Sequence, residues 1–224
     1  MAEDEVSVRL AAESRRKLGA QALHLPLKVL GYLEFSEIYS IDLGRLPPER
    51  PLDRYELGPA TAEDIDYICR VLIRDEPPIV IRTLWSEGHH CLVARHDGRV
   101  IAYDWIAFST VQEEEYRIEL QPDHAFCLNA YTHPEHRGRG VHYALLRGLL
   151  KFAAENGKTK AFTLVSLFNR DSWKSHIRMG WKREFTYCYF RPYFVPGRQP
   201  WALTPPRYPA RLDWRRHSWF ARAS

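Results

Sequence analysis

Arginine and glycine alternate in the stretch Arg137-Gly-Arg-Gly140, which carries the clearest chemical pattern in the sequence. Glycine permits tight turns in which successive backbone N–H groups point toward one ligand. The residues that follow have helical periodicity, and the N-terminus of a helix favours an anion through its N–H groups and its dipole. Because Arg137 and Arg139 add full positive charge, the pattern predicts a binding site for a pyrophosphate group.

This stretch lies between a predicted strand and a predicted helix. Residues Ala125–Tyr131 form an apolar run of strand length. From Val141 onward, apolar residues recur at helical spacing until Asn156-Gly157 ends the pattern. A Walker A loop is excluded because its Gly-Lys-Ser/Thr ending is absent, and a dinucleotide fingerprint is disfavoured because Tyr143 stands where a third glycine belongs.

The stretch resembles the coenzyme A loop of the GCN5-related N-acetyltransferases, the GNAT family. That loop runs Arg/Gln-x-x-Gly-x-Gly/Ala and usually follows a Pro-Glu pair. Here Pro134-Glu135 precede Arg137-Gly-Arg-Gly140-Val-His142. His142 departs from the family's Gly or Ala, so we expect its side chain either to crowd the pyrophosphate or to contact it.

A second, less specific motif is similar to one of the same family. The family often has Asn after its fifth strand, a small residue three positions later, then a Tyr and a closing Gly-Phe. The corresponding residues here are Asn169, Ser172, His176 and Gly180-Trp181. The predicted element order β-α-β-β-β-α-β-α-β over Arg54–Phe190 also matches. The resemblance implies an α/β (α+β) GNAT fold, with a mixed, mostly antiparallel central sheet flanked by helices.

The remaining residues are assigned around this domain. Residues 1–53 are predicted to be an N-terminal helical extension and linker, although Phe35–Leu43 alternates like a strand. Residues 54–190 form the predicted GNAT acetyltransferase domain. Residues 191–224 form a predicted irregular tail that is rich in Arg, Trp and Pro.

Local signals predict individual element ends. Thr61 is the expected N-cap of a helix that Pro77-Pro78 would end. Asp97-Gly98, between two apolar runs, predicts a β-hairpin. Gly180 is expected to end a short helix that begins at Asn169, a residue suited to an N-cap.

The resemblance implies that acetyl-CoA, or another acyl-CoA, is the cosubstrate. In the family, the strand before the loop often bulges, and its backbone holds the pantetheine arm and the acyl carbonyl. A backbone N–H near Ala130 or Tyr131 would then stabilise the oxyanion. The implied cofactor-binding residues are Ala130, Tyr131, Thr132, Arg137, Gly138, Arg139, Gly140, Val141, His142, Asn169 and Ser172.

Transfer from a thioester to an amine needs a base for the ammonium group, and the leaving thiolate benefits from an acid. His176 stands where the family commonly has its Tyr acid, and a catalytic and a structural role carry equal weight there. Tyr131 and Tyr143 are alternative proton donors. The candidate bases are Asp123 and His124, before the loop strand, and Asp104, in the neighbouring strand.

The implied activity is N-acetyl transfer to a primary amine by direct transfer in a ternary complex. An amino sugar or small amine is the first choice of acceptor and a peptide amine the second, because aromatic side chains suit such ligands. A non-catalytic acyl-CoA-binding or sensing module of the same fold is the alternative. The aromatic residues that would line an acceptor cleft, or pack in the core, are Trp85, Tyr103, Trp105 and Phe108.

Composition limits the other classes of function. The 224 residues contain no apolar run long enough for a transmembrane helix, and the acidic start is unlike a signal peptide, so a cytoplasmic protein is expected. The four separated cysteines predict reduced thiols and no metal site. Membrane contact through the N-terminal helix or the tail, and nucleic-acid binding by the basic tail, receive less weight. A homodimer stays open.

Overall fold

The structure, a computed structural model, describes Leu10 and residues 31–50, 52–72, 77–112, 117–192, 201–203 and 211–213. The chain divides into two compact units, of which the first comprises Met1–Ile41 and Phe162–Tyr208. The second comprises Asp42–Ala161 and Pro209–Ser224. The predicted N-terminal helix lies outside the described residues except for Leu10, and the predicted domain boundaries stay predictions.

The strands form antiparallel ladders within each unit. In chain order they are β1 (Gly31–Asp42), β2 (Glu56–Pro59), β3 (His90–His96), β4 (Arg99–Ala107), β5 (Val111–Gln112), β6 (Arg117–Glu119), β7 (His124–Thr132), β8 (Lys160–Ser166), β9 (Lys182–Pro192), β10 (Trp201–Leu203) and β11 (Arg211–Asp213). In the second unit β3 pairs with β2 and β4, and β4 pairs with β7. A separate three-stranded sheet has the order β11-β6-β5.

In the first unit, β9 pairs with β1 and β10, and β8 lies beside β1. The predicted strand Phe35–Leu43 is therefore present, extended to Gly31–Asp42. Within the predicted irregular tail, the residues described beyond β9 are the short strands β10 and β11.

Four α-helices occur among the described residues: α1 (Ala62–Tyr67), α2 (Pro78–Ser86), α3 (Val141–Glu155) and α4 (Arg170–Arg178). A π-helical turn, Ile68–Leu72, continues α1, and a 3-10 turn, Pro134–His136, precedes α3. No described helix has both the length and the apolar character needed to cross a membrane.

The predicted N-cap at Thr61 is confirmed as a full capping box. The Thr61 hydroxyl accepts from the Asp64 N–H at 3.3 Å, and the Asp64 carboxylate accepts from the Thr61 N–H at 2.7 Å. The helix that Thr61 caps is described as far as Leu72, and Pro77 is extended, so this helix does not continue through the proline pair. A further helix that the sequence analysis did not predict, α2, begins at Pro78. Proline has no N–H to lose at a helix start, so this position suits it.

The predicted hairpin is confirmed between β3 and β4. His96 pairs with Arg99, so Asp97 and Gly98 form a two-residue loop. Both have positive φ, 50° and 72°. Two left-handed residues match the type I′ turn, whose twist fits the flanking strands.

Helix α3 packs against β3 and β4 and so fixes the position of the loop that precedes it. The packed side chains are Ala94, Ile101, Ala102, Val141 and Leu145, with Leu52, Tyr55 and Leu92 against them. A Cβ at Gly148 would lie 2.8 Å from Leu92 Cδ2, so glycine lets the helix approach the strand closely.

The segment before β2 is bound to the outer face of α3. Tyr143 donates its hydroxyl hydrogen to the Pro48 carbonyl at 2.7 Å, and Arg147 Nε donates to the Pro47 carbonyl at 2.9 Å. Arg147 also pairs with Glu49 at 3.2 Å. These contacts fix the segment before β2 against the first two turns of α3, next to the glycine loop.

Candidate active site

The loop Arg137–Gly140 has the backbone that its glycines predict. Gly138 and Gly140 have φ of 73° and 83°. A Cβ at Gly138 would meet no atom within 4 Å, and one at Gly140 would meet only Leu52 at 3.7 Å. The glycines are therefore required by the left-handed conformation, since side chains would have room.

Gly140 is also the N-cap of α3, and it makes no side-chain cap hydrogen bond. The first-turn N–H groups of a helix have no intrahelical acceptor. The first turn of α3 contains no acidic residue that would compete for them. This end of the helix is thus suited to an external anion.

Arg137 connects the loop to the end of β7. Its Nε donates to the Thr132 carbonyl at 2.9 Å, and the His133 N–H donates to the Ile101 carbonyl at 2.8 Å. Arg137 and Arg139 are exposed. Their guanidinium groups provide positive charge beside the N-terminus of α3.

A β-bulge interrupts the ladder between β4 and β7 just before this loop. Tyr103 pairs with Tyr131, but Trp105 pairs with Leu128, so Asn129 and Ala130 together oppose one residue of β4. Asn129 has φ of 50°, which Asn tolerates better than other side-chain-bearing residues. A bulge leaves backbone groups out of the ladder, and Ala130 is exposed.

The residue of β4 opposite the bulge is Asp104, whose side chain is only 1% exposed. Its Oδ2 has no hydrogen-bond partner among the described residues, and His142 Nδ1 lies 3.8 Å from it. Burial raises the pKa of Asp104 well above its usual value. Burial also lowers the pKa of His142 to about 4, although 27% of that side chain is exposed. Both shifts favour the neutral forms.

The acetyltransferase (GNAT) family model matches residues 60–181, which is more than half of the chain. The chain belongs to this family. The GNAT fold, a mixed and mostly antiparallel sheet flanked by helices, confirms the predicted fold class.

Solved structures with the GNAT fold are distant in sequence. A GCN5-related N-acetyltransferase from Sphaerobacter thermophilus is 16% identical with a TM-score of 0.53, over 77% of this chain and 56% of its own. A GNAT acetyltransferase from Colwellia psychrerythraea is 17% identical with a TM-score of 0.52, over 77% and 61%. The glucosamine N-acetyltransferase region of a fungal multi-domain GH3 β-N-acetylglucosaminidase is 17% identical with a TM-score of 0.51, over 75% and 22%.

At these identities the likeness concerns the fold alone. The chain spans 52% to 63% of the length of the first structures that it matches. No curated protein matches the sequence.

Two of the predicted catalytic residues lie at the other end of β7 from the GNAT loop. His124 begins this strand and Thr132 ends it, a separation of roughly 26 Å at 3.3 Å per residue. Asp123 accepts a hydrogen bond from the Thr159 hydroxyl at 2.6 Å, which lowers its pKa. Burial lowers the pKa of His124. The structure therefore does not bring Asp123 and His124 to the loop.

The second GNAT motif lies on α4 in the first unit. Asn169 is the N-cap of α4, since its Oδ1 accepts from the Ser172 N–H at 3.1 Å. His176 is 4% exposed, and its Nδ1 donates to the Ser172 carbonyl at 2.8 Å. Its ring packs edge-on against Trp181, with centroids 5.2 Å apart. These contacts are typical of a histidine with a structural role in the protein core.

The aromatic residues predicted for the acceptor cleft are divided between core and surface. Tyr103 and Trp105 are buried, whereas Trp85 is 40% exposed. Trp85 lines a cavity of about 430 Å³ whose other walls are Pro59, Ala60, Gly88, His89, His90, Cys91, Leu92, Leu149 and Phe152. Phe108 stacks on Phe152 at its edge. Leu149 and Phe152 lie roughly 12 to 16 Å along α3 from the glycine loop.

Other reactive side chains of the second unit are engaged or inert. Tyr143, a predicted proton donor, uses its hydroxyl on Pro48. Burial raises the pKa of Cys69, Cys91 and Cys127, which disfavours the nucleophilic thiolate.

One group of side chains has the composition of a metal site, and the prediction that the chain binds no metal stays a prediction. It consists of His133, Glu135 and His136. Burial, helped by nearby positive groups, lowers the pKa of His136.

Proposed function

We propose that this GNAT protein is an acyl-CoA-dependent N-acyltransferase that transfers acetyl from acetyl-CoA to a primary amine of a small molecule or amino sugar. The observation that supports this most strongly is the loop Arg137–Gly140, with two left-handed glycines, an uncapped helix start and two exposed guanidinium groups. Cytoplasmic location and a homodimer stay predictions.

The loop leaves its main chain accessible to a pyrophosphate and supplies positive charge beside it. The space that a side chain would occupy at Gly138 is open, so a ligand can approach the main chain. Arg137, Arg139 and the N–H groups from Gly138 to His142 would hold the pyrophosphate. The pantetheine arm would lie along Ala130–Thr132, and Asn169 and Ser172 are retained as contacts that the family resemblance implies.

The bulge at Asn129-Ala130 is the proposed acyl-binding element. The bound cosubstrate supplies the activated thioester carbonyl. A backbone N–H at Ala130 or Tyr131 that is not used in the β4–β7 ladder would donate to that carbonyl oxygen as negative charge develops there. Such a donor is held by the strand, so it needs no reorganisation during the reaction.

Asp104 is the proposed proton acceptor, because it lies opposite the bulge whereas Asp123 and His124 do not. Its raised pKa brings it nearer to the operating pH, which suits a general base. His142 is partly exposed and lies 3.8 Å from it. In the fraction of molecules in which Asp104 is ionised, one ring nitrogen of His142 would take the ammonium proton as the other transfers its own proton to the Asp104 carboxylate.

Tyr131 is the proposed donor to the leaving thiolate. It adjoins Ala130 at the bulge and is partly exposed, and its ring stacks on Tyr103 with centroids 5.8 Å apart. His176 is less suited, because its Nδ1 hydrogen bond and its packing on Trp181 describe a structural role. The buried, poorly ionised cysteines favour direct transfer over an acyl-cysteine route.

The burial of His176 and Asp104 also favours a second candidate, a non-catalytic acyl-CoA-binding module. This candidate shares the cradle but needs no proton transfer. It predicts binding of acetyl-CoA without thiol release for any amine. The two candidates are therefore separated by turnover and not by affinity.

The proposal is tested by thiol release from acetyl-CoA with amino sugars, small primary amines and lysine peptides as acceptors. We expect turnover with an amino sugar or small amine, and a rise in melting temperature with acetyl-CoA that Arg137→Glu abolishes. Arg70→Glu is the matched control, because it reverses the charge of an arginine whose side chain is 71% exposed and which lies outside the loop. An equal thermal shift in both variants would contradict the loop assignment.

A further inference from the structure

Three potential metal ligands, two histidines and a glutamate, follow β7 within four residues. His133, Glu135 and His136 lie at and within the 3-10 turn Pro134–His136. One ligand atom from each residue lies within 4.8 Å of the other two, and His133 Nδ1 is 3.9 Å from Glu135 Oε2. The turn is tied to β4 through the His133 N–H, which donates to Ile101. The three ligand atoms are thus held near one another by a single turn.

The ring of His136 is held in position by contacts with Tyr55 and His96. The Tyr55 hydroxyl lies 3.2 Å from His136 Nδ1, and the His96 ring packs edge-on at 5.2 Å. Tyr55 in turn packs against the core cluster under α3. A hydrogen bond to one ring nitrogen fixes the tautomer and leaves the other for a metal.

Two imidazoles and one carboxylate select the kind of ion. Zn²⁺ and its neighbours in the first transition row favour imidazole, whereas Mg²⁺ and Ca²⁺ favour sets of oxygen ligands. Tetrahedral zinc with bonds near 2.1 Å needs ligand atoms roughly 3.4 Å apart. Rotation of exposed side chains closes the remaining gap, since His133 and Glu135 are 39% and 82% exposed.

We propose that His133, Glu135 and His136 bind one Zn²⁺, or a similar imidazole-preferring divalent ion, with water in the open position. The negative charge of Glu135 would reduce the repulsion between the metal ion and the positively charged Arg137 and Arg139. Arg137 Nε donates to the Thr132 carbonyl. The proposal does not rest on the acyltransferase function, because the three ligands are all side chains of this turn. Binding is expected without any coenzyme present.

The test uses the full chain, stripped with a chelator and titrated with Zn²⁺ against a chromophoric competitor. We expect one site in the wild type that the double variant His133→Ala/His136→Ala lacks. Glu135→Gln and Tyr55→Phe are each expected to weaken binding about 10- to 100-fold. His124→Gln, which removes an imidazole at the far end of β7, is expected to keep the wild-type affinity.

Co²⁺ provides a second readout, because four-coordinate Co²⁺ absorbs visible light more strongly than the hydrated ion. A band is expected in the wild type and not in the double variant, and Mg²⁺ should not displace it. Unchanged melting temperatures without metal would show that the variants fold. The proposal is overturned if Zn²⁺ does not bind, or if the folded double variant binds it as the wild type does. Coenzyme binding, measured with chelator present, is a separate result.

Discussion

The glycine loop and the buried middle of β4 are close in the fold but use opposite physical means. The loop acts through main-chain N–H groups and exposed arginines, in a conformation that Gly138 and Gly140 permit. The second region, Asp104 with His142, acts through side chains whose protonation is set by burial. Changes in the loop should therefore affect binding of an anion, and changes at Asp104 should affect proton transfer and pH dependence.

The largest effect is expected for Gly140→Val in the loop. A β-branched side chain at φ 83° forces the start of α3 to change, so we expect acetyl-CoA affinity to fall by about 100-fold or more. Gly157→Val is the matched control, because Gly157 has φ of 74° just beyond the other end of the same helix. Calorimetry should show a loss of affinity in the first variant only. Equal losses would mean that strain in α3, and not the cradle, controls binding.

Asp104→Asn is expected to lower kcat by about 100- to 1000-fold, with little change in acetyl-CoA affinity, since a general base contributes that much. In the wild type kcat should rise with pH as Asp104 ionises through its raised pKa, and this dependence should be lost in the variant. Asp123→Asn is the control and should retain most activity. The comparison fails if Asp104→Asn affects binding and leaves turnover intact.

The pH dependence of stability should separate the two buried groups. The folded pKa of His142 is about 4, against 6.5 for the unfolded residue, so this histidine makes the free energy of unfolding rise with pH between those values. The raised pKa of Asp104 has the opposite effect. It makes the free energy of unfolding fall as pH rises from about 4 toward that pKa.

Relative to the wild type, His142→Gln should therefore become less stable as pH rises from 4.5 to 6.5, by about 2 kcal/mol. Asp104→Asn should change in the opposite direction. Urea unfolding at several pH values measures both. Identical slopes in the two variants and the wild type would show that burial does not set these protonation states.

The smallest effect concerns the N-cap of α4. Asn169→Ala should lower the free energy of unfolding by about 1 kcal/mol, while Asn169→Asp should keep the cap. Asp lacks the amide donor, so a loss of acetyl-CoA affinity in Asn169→Asp alone would assign Asn169 a contact to the pantetheine arm. Equal affinity in Asn169→Asp and the wild type would limit Asn169 to capping.

The sequence predicted best what depends on backbone conformation. Gly138, Gly140 and Asp97-Gly98 adopt positive φ, and Thr61 caps α1, because each such requirement is local. The helix that begins at Pro78 was missed for a local reason too, since proline both ends helices and suits their first turn.

Tertiary contacts were not predictable in this way. The bulge at Asn129 depends on the register of β7 against β4, and the pairing of His142 with Asp104 depends on how α3 packs on the sheet. Tyr143 contacts Pro48 and Arg147 contacts Pro47, and the two residues of each pair are about a hundred positions apart. A lone Asp in an apolar strand was the one signal of the buried pair.

The central claim is that the main chain from Gly138 to His142 binds the pyrophosphate of coenzyme A. Calorimetric titration of the full chain with coenzyme A and acetyl-CoA, in chelator and at two salt concentrations, tests it most directly. The account predicts one site for each ligand, with affinity that decreases at higher salt because Arg137 and Arg139 contribute. Absence of binding by both ligands at both salt concentrations would contradict it.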